Sequence, residues 1–141
     1  MRSIKGCYTL DNNKDHQPTT SMAHQVGQWI QFEFEGLPVK FYVNERPDAI
    51  QDIMLRTGSF YEEDALRFIR DILPPASCIV DVGANIGNHS IFFDLFCNAR
   101  KVYAIEPNPE VVDELRRNIS ENNCHAVDLS FAGVALGAQR G

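Results

Sequence analysis

Polar and apolar residues alternate with period two between residues 29 and 43. Ile30, Phe32 and Phe34 share one face, Val39, Phe41 and Val43 repeat the pattern, and Gly36 separates the two runs. This predicts an antiparallel hairpin. The period then lengthens. Asp48 is placed to cap a short helix carrying Ile50, Ile53 and Met54, with Gly58 as its stop. A second helix is predicted from Ser59, because Ser59 and Glu62 have capping-box spacing. Leu66, Ile69 and Leu73 form its buried stripe, and Pro74-Pro75 ends it. From there strand and helix alternate. Cys78–Val82 (CIVDV) is a short apolar strand, and residues 88–97 form an apolar helix with Phe92, Phe93 and Phe96 in its core. Lys101–Glu106 (KVYAIE) is the next strand. Asn108 caps a further helix with Pro109 at its first position, lined by Val111, Val112, Leu115 and Ile119. Residues 126–131 complete the series. This β-α-β-α-β order implies an α/β fold with a parallel sheet and right-handed crossovers.

Residues 1–28 show no such period, and residues 11–21 (DNNKDHQPTTS) are rich in turn formers. They read as a flexible polar arm. The remainder, 29–141, reads as one domain: a hairpin and helices over 29–75, then a Rossmann-like half over 76–141 that binds a cofactor.

Composition changes this picture little. The chain has 141 residues, is 44% hydrophobic and 23% charged, and carries a net charge of -6. These are values of an ordinary globular domain. The acidic balance argues against a nucleic-acid partner, which calls for a basic face. Cys7, Cys78, Cys97 and Cys124 are widely spaced, as reduced thiols in a cytoplasmic protein would be. No apolar run approaches the roughly 18 residues that span a bilayer, so no membrane partner is expected.

The chemistry is concentrated in residues 80–88, VDVGANIGN. A buried strand ends in an acid, glycines follow, and a helix begins. Ligands of open α/β sheets bind at such carboxyl ends. Gly83 and Gly87 let backbone approach a ligand, with Ala84 and Asn85 between them. The following helix N-terminus, with its free N–H groups and partial positive charge, suits a ligand carboxylate. Glu106 ends the next strand, about 20 residues on, where an acid accepts hydrogen bonds from both hydroxyls of a ribose. Pro107 and Pro109 fix the turn behind it. A dinucleotide fingerprint requires G-x-G-x-x-G. Here the spacing is G-x-x-x-G, with Asn85 where the middle glycine would admit a pyrophosphate. A nucleoside without pyrophosphate fits better, and S-adenosylmethionine is one. Asp81 then faces its ammonium group, directly or through water, or else serves the loop. Asn85 either shapes the loop by bonding its own backbone or touches ligand.

The segments DVGANIGNHSIFF and VYAIEPNPEVVDELRRN resemble the FkbM family of methyltransferases, as do GSFYEEDALRFI upstream and VALGAQRG downstream. The resemblance covers about residues 37–141. It implies a Rossmann-like class I methyltransferase fold, here incomplete: the first three parallel strands with their helices, preceded by the hairpin and two helices. It implies S-adenosylmethionine as cofactor, held by Asp81, Gly83, Ala84, Asn85, Gly87, Glu106, Pro107 and Glu62. It also implies O-methyl transfer to a small hydroxylated acceptor such as a sugar or polyketide. The family continues into a fourth strand with a K-x-D-x-E-G-x-E-like segment that is absent here. A bare CIVDV edge, marginal stability and weak cofactor binding are therefore expected.

Other readings follow from the same residues. Glu62 either belongs to a capping box or stands at the methionine end of the cofactor. Phe60 and Tyr61 are core or cofactor wall. His89 is the one candidate general base near the loop, on a helical turn where packing or capping is its commoner use. Cys124-His125 is too small a ligand set for a metal. The whole chain also fits a non-catalytic Rossmann module, or, against the glycine spacing, a nicotinamide-dependent oxidoreductase.

Overall fold

The computed structural model describes residues 27–44 and 47–138. The expected arm over residues 1–28 falls almost wholly outside them. The chain runs β1 (Gln28–Phe34), β2 (Leu37–Val43), α1 (Ala49–Thr57), α2 (Glu63–Ile72), β3 (Cys78–Val82), α3 (Asn88–Phe96), β4 (Lys101–Glu106), α4 (Pro109–Glu121) and β5 (Val127–Ala132).

β1 and β2 form the expected hairpin, in register from Gln28 opposite Val43 to Phe34 opposite Leu37. Its two-residue turn is Glu35-Gly36, with φ of 50° and 82°. Positive φ at both turn positions matches the right-handed twist of the strands. Alternation buries Ile30, Phe34, Val39, Phe41 and Val43. Asp48 caps α1 in a full capping box with Gln51, and left-handed Gly58 closes it.

The start of α2 departs from expectation. The helix begins at Glu63, not Ser59, and Glu62 is its N-cap in left-handed conformation, with no side-chain cap. Ser59 donates instead to the Glu63 carboxylate. The Ser-x-x-Glu spacing is present, but residues 60–62 are committed elsewhere. Phe60 is drawn into the core, edge-on to Phe32, Phe34, Phe41, Phe92 and Phe96. That settles Phe60 as core, while Tyr61 is half-buried.

β3, β4 and β5 form a parallel sheet in the order β3-β4-β5. Consecutive strands joined by two right-handed crossovers place both connecting helices on one face. β4 is therefore the buried strand, with Val102 and Ala104 fully enclosed. The hairpin packs against the outside of the helix layer, through β2 on α4 and through Phe34 on Phe92 and Phe96. The architecture is three-layered: hairpin, helices, sheet.

Two asparagines, Asn118 in α4 and Asn122 at its C-cap, complete the hairpin in a way the sequence pattern did not announce. Asn118 accepts from the Tyr42 N–H at 2.6 Å and donates to the Tyr42 carbonyl at 3.1 Å. One turn on, Asn122 accepts from the Lys40 N–H at 3.0 Å and donates to the Lys40 carbonyl at 2.6 Å. At i and i+4 the two amides lie on one helix face. They give the outer edge of β2 the partners a third strand would give.

Candidate functional site

The site forms where the carboxyl ends of β3 and β4 meet. Residues 83–87 leave β3 in a turn that returns to β4: the Gly83 and Ala84 N–H groups donate to the Ile105 carbonyl at 2.8 and 3.0 Å. Gly83 has φ of 79°, and the position of a Cβ there faces open space. Gly87 has φ of 97°, and a Cβ would meet the Leu115 side chain at 3.0 Å. So Gly83 opens the loop outward, while Gly87 also serves close packing of loop on α4.

Glu106 is brought to this turn. One oxygen of its carboxylate accepts from the Asn85 N–H at 2.9 Å, and the other from the Asn108 N–H at 2.7 Å. Both clamps come from backbone, so the carboxylate is fixed in direction. Each oxygen keeps acceptor capacity, since a carboxylate offers about four lone-pair sites. Glu106, Asn85 and Asn108 line a cavity of about 230 Å³ together with Asn44, Asp48, Gln51 and residues of the first turns of α4. Pro107 is exposed beside them.

Asn85 is left-handed, with φ of 48°. Its side-chain oxygen accepts from the neighbouring Ile86 N–H at 2.6 Å, and its side-chain nitrogen donates to Asp48 at 2.8 Å. It does shape its own loop, and it ties that loop to the cap of α1. Asp81 is buried and accepts from the Ser90 hydroxyl at 2.6 Å. Burial pushes its carboxyl above the ordinary range, against the pull of Ser90. Ala84 is buried in the core. Glu62 stands apart from the cavity and meets His89, 3.6 Å from carboxylate oxygen to Nε2. Of the expected residues, then, Asn85, Glu106 and Pro107 gather at the β4 end. Gly83, Ala84 and Gly87 belong to the turn, Asp81 stands in β3 just before it, and Glu62 lies on its α2 side with His89.

Sequence reasoning missed Asn88 and Asp48. Asn88 accepts from the Tyr61 N–H and donates to the Tyr61 carbonyl, both at 3.0 Å, which holds residues 59–62 on the glycine turn. Its only sequence signal was a buried amide at the first position of an apolar helix. Asp48 was legible as a cap, but its second oxygen, which takes Asn85, was not.

The family model that matches this chain is that of the TRM5/TYW2 methyltransferase domain, over residues 50–132. No curated protein matches. Among solved structures, aTrm5 in complex with tRNALeu is 23% identical, with a TM-score of 0.50, over 70% of this chain and 26% of its own. TYW2 of M. jannaschii in complex with AdoMet is 21% identical, with a TM-score of 0.50, over 70% of this chain and 40% of its own. The M. jannaschii tRNA m1G37 methyltransferase is 21% identical, with a TM-score of 0.51, over 74% of this chain and 30% of its own. The chain thus spans well under half the length of these neighbours, which share its fold.

The enzyme class expected from the sequence stands, and the expected cofactor, S-adenosylmethionine, is the ligand of the M. jannaschii TYW2 structure. The FkbM resemblance does not stand: the glycine turn and strand-end acid that suggested it are features of the wider fold, and the matched model is another family's. The exclusion of nucleic acid in favour of a small hydroxylated acceptor is overturned with it, since the neighbours include tRNA methyltransferases, one solved with tRNA. The charge argument failed because a net charge does not say how basic side chains are distributed over a surface. The chain belongs to the TRM5/TYW2 methyltransferase domain family.

Proposed function

We propose that the chain is the cofactor-binding part of an S-adenosylmethionine-dependent methyltransferase acting on tRNA. The observation that carries this is Glu106, clamped by two backbone N–H groups beside the 83–87 turn with acceptor capacity left over. Two adjacent ribose hydroxyls fit that capacity, and a pyrophosphate does not fit a turn whose centre is Asn85. The cofactor supplies a methyl group already activated on a sulfonium. The protein's task is then mostly positioning, where good orientation is equivalent to effective molarities of about 10⁵–10⁸ M. In this reading Glu106 and Pro107 hold the sugar, and Gly83 gives the methionine portion room to approach the backbone. Asp81, through Ser90, keeps the first turn of α3 in place and reaches the ligand ammonium only through water. Ala84 and Gly87 act by packing, and Asn85 by shaping the turn. Glu62 with His89 borders the methionine end. The tRNA substrate rests on the family and on the neighbours' substrates.

Calorimetric titration tests the cofactor half. S-adenosylmethionine should bind weakly at one site, NAD should not bind, and Glu106→Ala should weaken binding by at least roughly tenfold, the loss of hydrogen bonds to a charged acceptor. Equal binding of NAD, or an indifferent Glu106→Ala, refutes it. Transfer of labelled methyl to a tRNA transcript but not to free sugars tests the substrate half.

A further inference from the structure

Two helix N-caps converge on the ribose acid. Asn108 caps α4 by accepting from the Glu110 N–H at 3.0 Å, and its own N–H donates to one Glu106 oxygen at 2.7 Å. Asp48 caps α1 by accepting from the Gln51 N–H at 2.8 Å. Its other carboxylate oxygen accepts from the Asn85 side-chain nitrogen at 2.8 Å, and the Asn85 N–H donates to the second Glu106 oxygen at 2.9 Å. Each clamp on Glu106 is thus referred to the start of a helix, one directly and the other through Asn85.

The indirect clamp is the one that needs holding. Asn85 is left-handed, with φ of 48°, a conformation that costs an ordinary residue and that asparagine tolerates. A rotation there turns its N–H away from Glu106, and a hydrogen bond weakens steeply as its angle closes. The Asn85 side chain is gripped at both ends, its oxygen by the Ile86 N–H and its nitrogen by Asp48. The Ile86 contact lies within the turn and moves with it. Asp48, 37 positions away in the chain, ties the turn to a separate element. Asp48, Asn85 and Glu106 also line the same cavity.

We infer that Asp48 is a positioning residue for the cofactor: acting through Asn85, it aims the Glu106 carboxylate at the ribose hydroxyls. This rests on the reading of Glu106 as the ribose acid. The capping and aiming roles use different oxygens of Asp48, so substitution can separate them. Asparagine and serine cap helices about as well as aspartate. Asp48→Asn keeps the capping oxygen but turns an amide nitrogen toward the Asn85 amide nitrogen, donor against donor. Asp48→Ser keeps the cap and is too short to reach Asn85. Asp48→Asn combined with Asn85→Asp restores a donor–acceptor pair in the reverse sense, at unchanged net charge.

The test titrates the chain with S-adenosylmethionine and with its 2′-deoxyadenosyl analogue by calorimetry, with urea unfolding as the control for the fold. Asp48 is exposed, and both single variants should match the unaltered chain in urea. Each should bind S-adenosylmethionine roughly fivefold more weakly, within the range of coupling between hydrogen-bonded neighbours. The analogue lacks one hydroxyl and should lose less, so the preference for the full ribose narrows. The double variant should regain most of the affinity. Without ligand, the NMR signal of the Asn85 backbone amide should move in both single variants and return in the double one. Unchanged affinity in the single variants, an equal loss for cofactor and analogue, or a double variant no tighter than Asp48→Asn overturns the inference and leaves the methyltransferase reading intact. Loss of the fold in both single variants overturns it too, since Asp48 would then be a cap alone. Failure of the unaltered chain to bind S-adenosylmethionine overturns the cofactor reading, and the aiming role of Asp48 with it.

Discussion

The molecule has two strand edges that the same rules treat alike, and it resolves them in opposite ways. The outer edge of β2 is covered: Asn118 and Asn122 pair with its N–H and carbonyl groups as a neighbouring strand would. The outer edge of β3 has no strand beside it among the described residues. Its outward side chains Val80 and Val82 are 58% and 63% exposed. Exposed apolar edges invite pairing with another chain. The covered edge faces the helix layer, and the open one borders the bare face of the sheet. There Phe131, Val134 and Leu136 are also exposed. One side is a closed core, the other a surface with exposed apolar side chains.

The sharpest way to break the comparison is to remove the amide that covers β2. Asn118 is fully buried and also donates to the Ile86 carbonyl at 3.0 Å, so it joins the hairpin to the glycine turn. Asn118→Ala should destabilise the chain by about 3 kcal/mol, because buried backbone groups are left without partners. Urea unfolding measures this. A loss near zero would mean that the hairpin edge needs no cover. The converse change is on the open edge. Val80→Lys should alter stability by no more than about 0.5 kcal/mol, as for an ordinary surface site, and should reduce concentration-dependent association in sedimentation velocity. A large destabilisation would show that Val80 is packed in solution.

The two edges also mark how far the sequence could be read. The sheet was legible because its signals are local: period-two alternation, a proline at the first turn of α4, a cap at Asp48. The α2 start was misread because a capping box is a local rule, and it was overridden by burial of Phe60 in a ring cluster drawn from three other elements. Glu106 was legible as a strand-end acid. Its two backbone clamps were not, since they depend on how the 83–87 turn folds back on β4. Asn88, Asn118 and Asn122 were opaque for a related reason. An asparagine in a helix usually reads as a weak helix former, and only tertiary contact reveals what its amide pairs with. Family assignment failed for the opposite cause: a glycine turn followed by a strand-end acid is set by nucleoside geometry and recurs wherever this fold holds such a ligand.

The smallest expected effect concerns two acids of the same sheet. Asp128 on β5 accepts from the Ser130 N–H at 2.9 Å and meets Lys101 at 2.9 Å, and these contacts, Ser130 foremost, hold its carboxyl below the ordinary range. A carboxylate lowered in the folded state contributes stability above its unfolded value, lost as pH falls through the folded one. Asp81 on β3 is raised by burial, so its contribution is full below the unfolded value and is lost as pH rises through the folded one. Asp128→Asn should therefore flatten the acid side of the stability profile, and Asp81→Asn should remove a decline on the other side of the ordinary carboxylate value. Asp128 lies near the surface, where salt screens such contacts, so its effect should shrink at high ionic strength while that of Asp81 persists. Equal salt sensitivity of the two would mean that Asp81 is open to solvent, and that the finished side of the sheet is less closed than its packing shows.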